Sequence, residues 1–245
     1  MLFRSLIFTF CFYLNTLLHV VFCSPVLVIP GRRALWAAVH SWANVSHWLL
    51  RTICGITYEI KHLDQIPHGP LLVACKHQST WETYTLVQLF NDPVYVFKHE
   101  LLWVPLFGWY CAKADMIPVK RGTRSAALSA MLELAHKKIA DGRQILIFPE
   151  GTRSAPDAEP AYKYGIIQLY VQLGVACLPI ALNAGLYWPR RNLRFRPGKV
   201  RMEILEPIPP GLSENEFQKR LESAIETATD HLIEQGRMEI EKQPL

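Results

Sequence analysis

Residues 71–82 read LLVACKHQSTWE, and this stretch organises the predicted fold. The apolar run 71–75 is typical of a buried strand. It is followed by His77 and then by Ser79-x-x-Glu82, the spacing of a capping box at the start of a helix. We therefore expect a strand, a turn and a helix start, with an imidazole and a carboxylate at the carboxyl end of the strand. In open α/β sheets, ligands bind at that edge.

The spacing of His77 and Glu82 restricts how the two side chains can meet. Five residues along a helix correspond to about 500°, so the two would lie about 140° apart if both were helical. They can meet only if His77 lies in the turn and Glu82 in the first helical turn, which is what the capping pattern predicts. The alternative is that Glu82 only caps the helix and that His77 is an ordinary loop histidine.

A second motif follows another apolar run, in the stretch QILIFPEGTRS at residues 144–154. Its apolar half predicts a buried strand, and Gly151 in its polar half permits a backbone turn that other residues disfavour. The Arg153 guanidinium offers a planar fork of donors suited to a phosphate, and Thr152 and Ser154 add hydroxyl donors. The alternative for this motif alone is a surface turn.

The remaining chain alternates predicted strands and helices. Further strands are expected at residues 56–61, 94–98, 116–119, 175–182 and 199–205, and helices at residues 80–89, 124–140, 162–173 and 213–235, the last opened by a second capping box, Ser213-x-x-Glu216. This alternation predicts an α/β fold with a mostly parallel central sheet covered by helices. Pro179 lacks an N–H, so we expect it at a sheet edge or a bulge. Arg121 follows strand 116–119 and is either a second phosphate ligand or a solvated surface arginine.

Composition restricts the possible function classes. The chain has 245 residues, enough for one α/β domain with an appendage. Its net charge of +5 includes no long basic block, so we expect no nucleic-acid binding but an affinity for anionic membranes or phosphate-bearing ligands. The six cysteines form no C-x-x-C pair, which favours free thiols over disulfides or a zinc site.

The excess of apolar residues lies at the N-terminus. No charged residue occurs in the 25 positions from Ser5 to Ile29, which is long enough to cross a bilayer. Residues 34–55 carry three tryptophans, which suit the headgroup layer. We expect residues 1–55 to form a membrane-embedded helical hairpin, or an anchor with an interfacial helix, ahead of an α/β domain at residues 56–245. The alternative is a hydrophobic helix buried in a soluble core.

Together these motifs resemble the 1-acylglycerol-3-phosphate acyltransferase family, part of the wider glycerolipid acyltransferases. Residues 77–82 are similar to its His-x-x-x-x-Asp block, and residues 148–154 match its Phe-Pro-Glu-Gly-Thr-Arg-Ser block at every position. Residues 116–121 are similar to a strand ending in arginine, and residues 178–181 to a Val/Leu-Pro-Ile/Val-Ala strand. The blocks occur in the family's order and cover about residues 55–205.

Three positions depart from the family pattern. Glu82 stands where Asp is usual, Asp115 where Gly is frequent, and Pro118 where an apolar or aromatic residue is found. A carboxylate that is one methylene longer can still accept the imidazole N–H, so we expect an active enzyme with slightly shifted geometry. The other two departures concern acceptor recognition and leave the reaction class unchanged.

The resemblance implies a bacterial-type membrane enzyme with the glycerolipid acyltransferase fold. It would move a fatty acyl group from acyl-CoA or acyl-carrier protein to the 2-hydroxyl of lysophosphatidic acid, which makes phosphatidic acid. His77 would be the general base and Glu82 would hold its other ring nitrogen, while backbone N–H groups near the helix start would stabilise the thioester oxyanion. The implied substrate-binding residues are Arg121, Glu150, Gly151, Thr152, Arg153 and Ser154.

The resemblance implies neither a metal nor a cofactor, and it makes the bilayer, lysophosphatidic acid and the thioester donor the partners. We expect the protein at the bacterial inner membrane with its catalytic domain on the cytoplasmic side. Two alternatives are the same chemistry on another lyso-lipid, such as a lyso-ornithine lipid or a headgroup-bearing lysophospholipid, and a non-catalytic protein that binds anionic lipid. A lipid hydrolase is disfavoured because the chain lacks G-x-S-x-G.

Overall fold

The structure is a computed structural model that describes residues 1–120 and 124–242. Its α-helices are α1 (Leu2–Phe22), α2 (Arg33–Cys54), α3 (Trp81–Thr85), α4 (Phe107–Lys113), α5 (Arg124–Ala140), α6 (Tyr164–Leu173) and α7 (Glu214–Glu241). Its β-strands are β1 (Ile56–Lys61), β2 (Leu71–Cys75), β3 (Val94–Lys98), β4 (Ile117–Val119), β5 (Gln144–Ile147), β6 (Cys177–Leu182) and β7 (Gly198–Ile204).

The strands form one sheet in the order β1-β7-β6-β2-β5-β3-β4. Neighbouring strands are parallel except β6 and β7, which are antiparallel. Strand β2 lies at the centre and all five of its residues are buried, as expected for a strand covered on both faces. The predicted α/β fold with a mostly parallel sheet is confirmed.

Helices cover both faces of the sheet, and β2 divides its side chains between them. Leu71 and Val73 face a core shared with α2 and α3, whereas Leu72 and Ala74 face a second core shared with α5, α6 and α7. This alternation follows from the two-residue period of a strand. Because helices cover both faces of the sheet, the edge where the strands end is the part that remains open for a binding site.

Helices α1 and α2 form an antiparallel hairpin that packs on the first of these cores. Asn15 Nδ2 donates to Ser46 Oγ across the hairpin at 3.0 Å. Phe8 packs edge-on against Trp188 with ring centroids 5.0 Å apart. By length and composition α1 could cross a membrane, although one of its faces is buried against the protein. The division into residues 1–55 and 56–245 stays a prediction.

The predicted capping box at Ser79 is only half formed. Glu82 Oε1 accepts the Ser79 N–H at 2.7 Å, but Ser79 Oγ accepts the N–H of Trp81, and Thr80 is the N-cap. The predicted helix 80–89 is also shorter, because α3 ends at Thr85 and a 3₁₀ turn follows. The carboxylate half of the box is present, and the hydroxyl half is missing because Ser79 Oγ accepts from Trp81 and not from Glu82. The capping box at Ser213 is complete.

Pro179 lies in an interior strand and not at an edge. Ile180 of β6 pairs with Ile204, and Cys177 pairs with Ile208. The two pairs are three residues apart along β6 but four residues apart along the partner segment. One extra residue therefore lies opposite Pro179, where its missing N–H interrupts no ladder bond. The bulge that we expected is present in the middle of the sheet.

Candidate active site

The two predicted motifs meet at one edge of the sheet. Strands β2 and β5 are parallel neighbours, so the segments that follow them leave the sheet on the same side. The Ser154 N–H donates to the carbonyl oxygen of His77 at 2.8 Å and ties the two segments together. The structure therefore places His77 beside the PEGTRS segment.

His77 is held by a buried carboxylate. Its Nδ1 atom lies 2.8 Å from Oε1 of Glu82, whose side chain is 0% exposed. The same oxygen accepts the N–H groups of Gln78 and Ser79 at 2.8 and 2.7 Å. Three donors on this oxygen offset part of the cost of burying the carboxylate, whose other oxygen, Oε2, is buried without a hydrogen-bond partner in the described part of the chain. In the neutral imidazole, an Nδ1–H that donates to Glu82 places the free lone pair on Nε2, the arrangement that a general base needs.

The imidazole is also held by an aromatic ring. The rings of His77 and Phe148 are stacked, with centroids 3.9 Å apart and an interplanar angle of 14°. Stacking on one side and the bond to Glu82 leave the His77 ring little rotational freedom. Phe148 was not among the predicted site residues, although its place in the FPEGTRS motif was a signal for it.

Glu150 lies behind His77, away from the open face of the site. Its carboxylate accepts the backbone N–H of His77 at 3.2 Å and the Ser154 hydroxyl at 2.9 Å, and it pairs with Lys76 Nζ at 2.6 Å. Glu150 and Ser154 are therefore placed to hold the backbone of the two motifs. Their predicted role in substrate binding stays a prediction.

Lys76 connects the site to the C-terminal helix. It is 1% exposed, and its Nζ lies 2.7 Å from Oε2 of Glu226 on α7. The other carboxylate oxygen of Glu226, Oε1, accepts the Tyr162 hydroxyl. Burial lowers the pKa of Lys76, but the carboxylates of Glu150 and Glu226 outweigh it and raise this pKa above its ordinary value. Lys76 thus stays charged. A lysine at the end of a buried strand signals a buried counter-ion, but no local pattern identifies Glu226.

A cavity of about 840 Å³ opens at this edge. Its polar lining includes His77, Thr80, Thr152 and Arg153, and Arg153 Nη1 donates to Thr80 Oγ1 at 2.8 Å. Gly151 also lines it, with a left-handed φ of 65°. The apolar lining comes from α2, β3 and α4, and includes Leu35, Trp36, Val39, Trp42, Tyr95, Phe97, Phe107 and Tyr110. Arg121 lies outside the described residues.

Three backbone N–H groups near the helix start already have hydrogen-bond partners. The N–H groups of Gln78 and Ser79 bind Glu82, and the N–H of Trp81 binds Ser79. These three groups are therefore unavailable to a thioester oxygen without rearrangement. An oxyanion site formed by other backbone N–H groups near the helix start stays a prediction.

Cys75 is a poor candidate for a nucleophile. Burial, with smaller contributions from the carboxylates of Glu82 and Glu150, raises the pKa of its thiol well above the ordinary value. The reactive thiolate is therefore suppressed. Within residues 1–120 and 124–242, no group of three or more His, Cys, Asp and Glu side chains is arranged to hold a metal ion.

The chain is similar to known acyltransferases. A family model described as Acyltransferase matches residues 57–183. A 1-acyl-sn-glycerol-3-phosphate acyltransferase of Pseudomonas aeruginosa is 38% identical over 183 residues, 75% of this chain and 70% of that protein. A lyso-ornithine lipid O-acyltransferase of the same organism is 27% identical over 201 residues, 74% of this chain and 76% of that protein.

A solved structure has the same fold. The crystal structure of the 1-acyl-sn-glycerophosphate (LPA) acyltransferase PlsC from Thermotoga maritima aligns with a TM-score of 0.74. The alignment covers 94% of this chain and 97% of that chain at 24% identity. At this coverage the alignment includes most of the N-terminal hairpin as well as the α/β domain.

Proposed function

The chain belongs to the acyltransferase family that includes the 1-acyl-sn-glycerol-3-phosphate acyltransferases, and we propose that it acylates the 2-hydroxyl of lysophosphatidic acid to make phosphatidic acid. One observation carries the proposal: His77, bound to the buried Glu82, lines the same cavity as Arg153. A general base and a phosphate-binding arginine in one cavity suit an acceptor that carries both a hydroxyl and a phosphate.

In the proposed reaction, His77 acts as a general base. Its Nε2 takes the proton of the acceptor hydroxyl while the hydroxyl oxygen attacks the thioester carbonyl carbon, and this assistance is worth about 10²–10⁴-fold. Glu82 stabilises the imidazolium that forms. The carbon–sulfur bond then breaks, and the imidazolium returns the proton to the thiolate. The acceptor hydroxyl replaces an enzyme nucleophile, so no acyl-enzyme, metal or cofactor is required.

Arg153 is the proposed ligand of the acceptor phosphate. A guanidinium can bind a phosphate through two parallel N–H groups, which fixes the direction of the bound headgroup. The bond from Arg153 to Thr80 places the guanidinium close to the start of α3, near His77. Thr152 and Gly151 line the cavity beside it. Arg121 is the second proposed ligand.

Acylation of a lyso-ornithine lipid is the second candidate, because a relative of that name matches the chain. A lyso-ornithine headgroup carries a carboxylate and an ammonium, so it has no net charge, and its ammonium needs an anionic partner in the site. Among the described residues that line the cavity, however, none is Asp or Glu, whereas five are Lys or Arg. This charge pattern favours a phosphate-bearing acceptor.

We infer that the hairpin lies in one leaflet of the membrane and does not span it. Helix α1 contacts the α/β domain near both ends: Phe195 N–H donates to Ser5 Oγ at 2.9 Å, and the Tyr110 hydroxyl donates to the Val20 carbonyl at 3.1 Å. Its opposite face exposes Phe3, Phe10, Tyr13 and Leu17. A helix with one protein-facing side and one apolar exposed side suits the membrane interface.

The free state of all six cysteines suits a reducing compartment, and we place the catalytic domain on the cytoplasmic side of a bacterial inner membrane. There the enzyme meets acyl-CoA or acyl-carrier protein as the donor.

An acceptor panel tests the proposed function. Purified full-length protein in detergent would receive an acyl-CoA together with lysophosphatidic acid, lysophosphatidylethanolamine, glycerol 3-phosphate or a lyso-ornithine lipid, with free thiol release as the readout. We expect the highest kcat/KM with lysophosphatidic acid. A higher value with the lyso-ornithine lipid would overturn the proposed acceptor, and no thiol release with any acceptor would overturn the proposed reaction.

A further inference from the structure

The loop at residues 187–197 brings two arginines to the cavity. Arg190 and Arg191 line it together with His77 and Arg153, and Arg190 Nη1 donates to the Arg153 carbonyl oxygen at 2.5 Å. The loop is therefore tied to the PEGTRS segment. Neither arginine belongs to the family motifs that identified the other site residues.

The loop is closed at its base and anchored in the core. The Arg196 N–H donates to the Tyr187 carbonyl at 2.9 Å, and the buried rings of Trp188 and Phe195 lie 5.2 Å apart. Both rings also pack against Phe8 of α1. The two arginines therefore extend from a segment that is fixed on both sides.

Backbone strain marks the position of Arg191. Its φ is 56°, in the left-handed region that is costly for residues with a Cβ atom. Such strain persists where the surrounding structure imposes it, and it concentrates at functional sites. Here it orients an exposed side chain that lines the cavity.

The charges that line the cavity are not neutralised by the protein. Arg32, Arg143, Arg201 and Arg237 all pair with carboxylates. In the described part of the chain, none of the lysines and arginines lining the cavity forms an ion pair; these are Lys98, Arg153, Lys163, Arg190 and Arg191. A phosphomonoester brings a charge of about −1.5 to −2 at neutral pH. One acceptor phosphate therefore leaves a surplus of positive charge.

We propose that Arg190 and Arg191 form a second anion site, which binds the phosphate of the phosphopantetheine arm on the thioester donor. This inference rests on the proposed function. Acyl-CoA and acyl-carrier protein share that arm, so the same pair would recognise either donor. Arg153 lies between this site and Thr80, and the link from Arg190 to Arg153 joins the donor site to the acceptor site.

The test compares donors that carry the same acyl chain with and without phosphate. Arg191→Gln would be assayed with the acyl chain on CoA, on acyl-carrier protein and on N-acetylcysteamine, a thiol that lacks phosphate. We expect KM for acyl-CoA to rise about tenfold to a hundredfold, as for loss of a charge-assisted hydrogen bond. KM for lysophosphatidic acid and for the N-acetylcysteamine thioester should stay within twofold of wild type, roughly the scatter expected for a surface change.

The donor panel also identifies the source of the phosphate. A rise in KM for both the CoA and the carrier-protein thioesters would identify the phosphopantetheine phosphate as the group that the arginines bind. A rise in KM for the CoA thioester alone would overturn this assignment, because it would show that the pair binds the nucleotide phosphates and not the shared arm. Arg191→Lys keeps the charge, so its KM for acyl-CoA should rise less than that of Arg191→Gln.

Arg194→Gln is the matched control, because Arg194 is an exposed arginine of the same loop that does not line the cavity. It should leave all KM values unchanged. The proposal is overturned if Arg191→Gln raises KM for lysophosphatidic acid instead, or affects the phosphate-free donor equally, or has no effect on any donor. Wild-type protein that does not acylate lysophosphatidic acid would instead refute the proposed function, so the two failures are distinguishable.

Discussion

Nδ1 of His77 lies 2.8 Å from Oε1 of Glu82, and this carboxylate has no exposed surface. Glu82 Oε1 also accepts hydrogen bonds from two backbone N–H groups. The atom at this position must therefore be an oxygen acceptor and cannot be an N–H donor. The contact fixes which ring nitrogen carries the proton, and it links the fold of the β2–α3 turn to the state of the base.

Glu82→Gln should therefore lower kcat/KM by about 10²–10⁴-fold, the range for loss of effective general-base assistance. The amide cannot stabilise the imidazolium as a carboxylate does. Glu82→Asp keeps the charge, so its kcat/KM should fall less than that of Glu82→Gln. The measurement is thiol release at saturating donor, and equal losses in the two variants would argue against an electrostatic role.

The link between Lys76 and Glu226 should contribute to stability. Lys76→Met leaves the buried carboxylate of Glu150 and the partly buried one of Glu226 without their counter-ion, and we expect a loss of about 3–5 kcal/mol in the free energy of unfolding. Glu226→Gln should cost less, because Lys76 keeps Glu150 as a partner. Chemical denaturation of wild type, the two single variants and the double variant completes a double-mutant cycle. Strictly additive losses would show that the two side chains do not interact.

The sequence predicts the contact of His77 with Glu82 because both residues lie in one turn and one helix start. The contact of Lys76 with Glu226 joins residues 150 positions apart, and no local pattern reports which helix crosses the end of β2. The same limit applies to Arg190, whose loop reaches the site through tertiary packing. Local spacing therefore predicts the catalytic pair, and long-range packing decides what surrounds it.

Strand positions were predictable for a similar reason, whereas their order was not. The apolar runs at 71–75 and 144–147 are visible in the sequence, but hydrophobic pattern does not say that β2 lies between β6 and β5. Pro179 illustrates the consequence. The missing N–H predicted an edge or a bulge, and only the strand order shows that the bulge lies inside the sheet.

Arg153→Ala should raise KM for lysophosphatidic acid by about tenfold to a hundredfold, because a charge-assisted pair of hydrogen bonds to the phosphate is lost. KM for the acyl donor should change far less. Arg153→Lys should recover only part of the loss, since an ammonium cannot form the two parallel bonds. Initial rates with each substrate varied in turn provide the test. Equal increases in both KM values would contradict the assignment of Arg153 to the acceptor.

Asp92 should make stability depend on pH. Burial raises the pKa of Asp92, but hydrogen bonds from Arg32 and Trp36 and the charge of Arg143 outweigh it and hold this pKa below 3.8. A depressed pKa in the folded state stabilises the protein above the ordinary pKa, and this stability is lost as pH falls through the folded-state pKa.

Asp92→Asn should therefore be less stable than wild type at pH 7, and the difference should shrink below about pH 4. Asparagine tolerates the positive φ of 54° at this position, so the variant tests the charge and not the backbone. Melting temperatures of the two proteins across pH provide the comparison. A difference that persists unchanged at acid pH would show that the ionised carboxylate is not responsible.

The most direct test of the account is the rate of thiol release by His77→Ala with acyl-CoA and lysophosphatidic acid. Loss of the base should lower kcat by at least about 10²-fold while the melting temperature stays near that of wild type. His77→Gln serves as the matched variant, because it keeps a polar side chain but cannot act as a base near neutral pH. If a folded His77→Ala protein retained a kcat close to wild type, proton transfer through His77 would be contradicted.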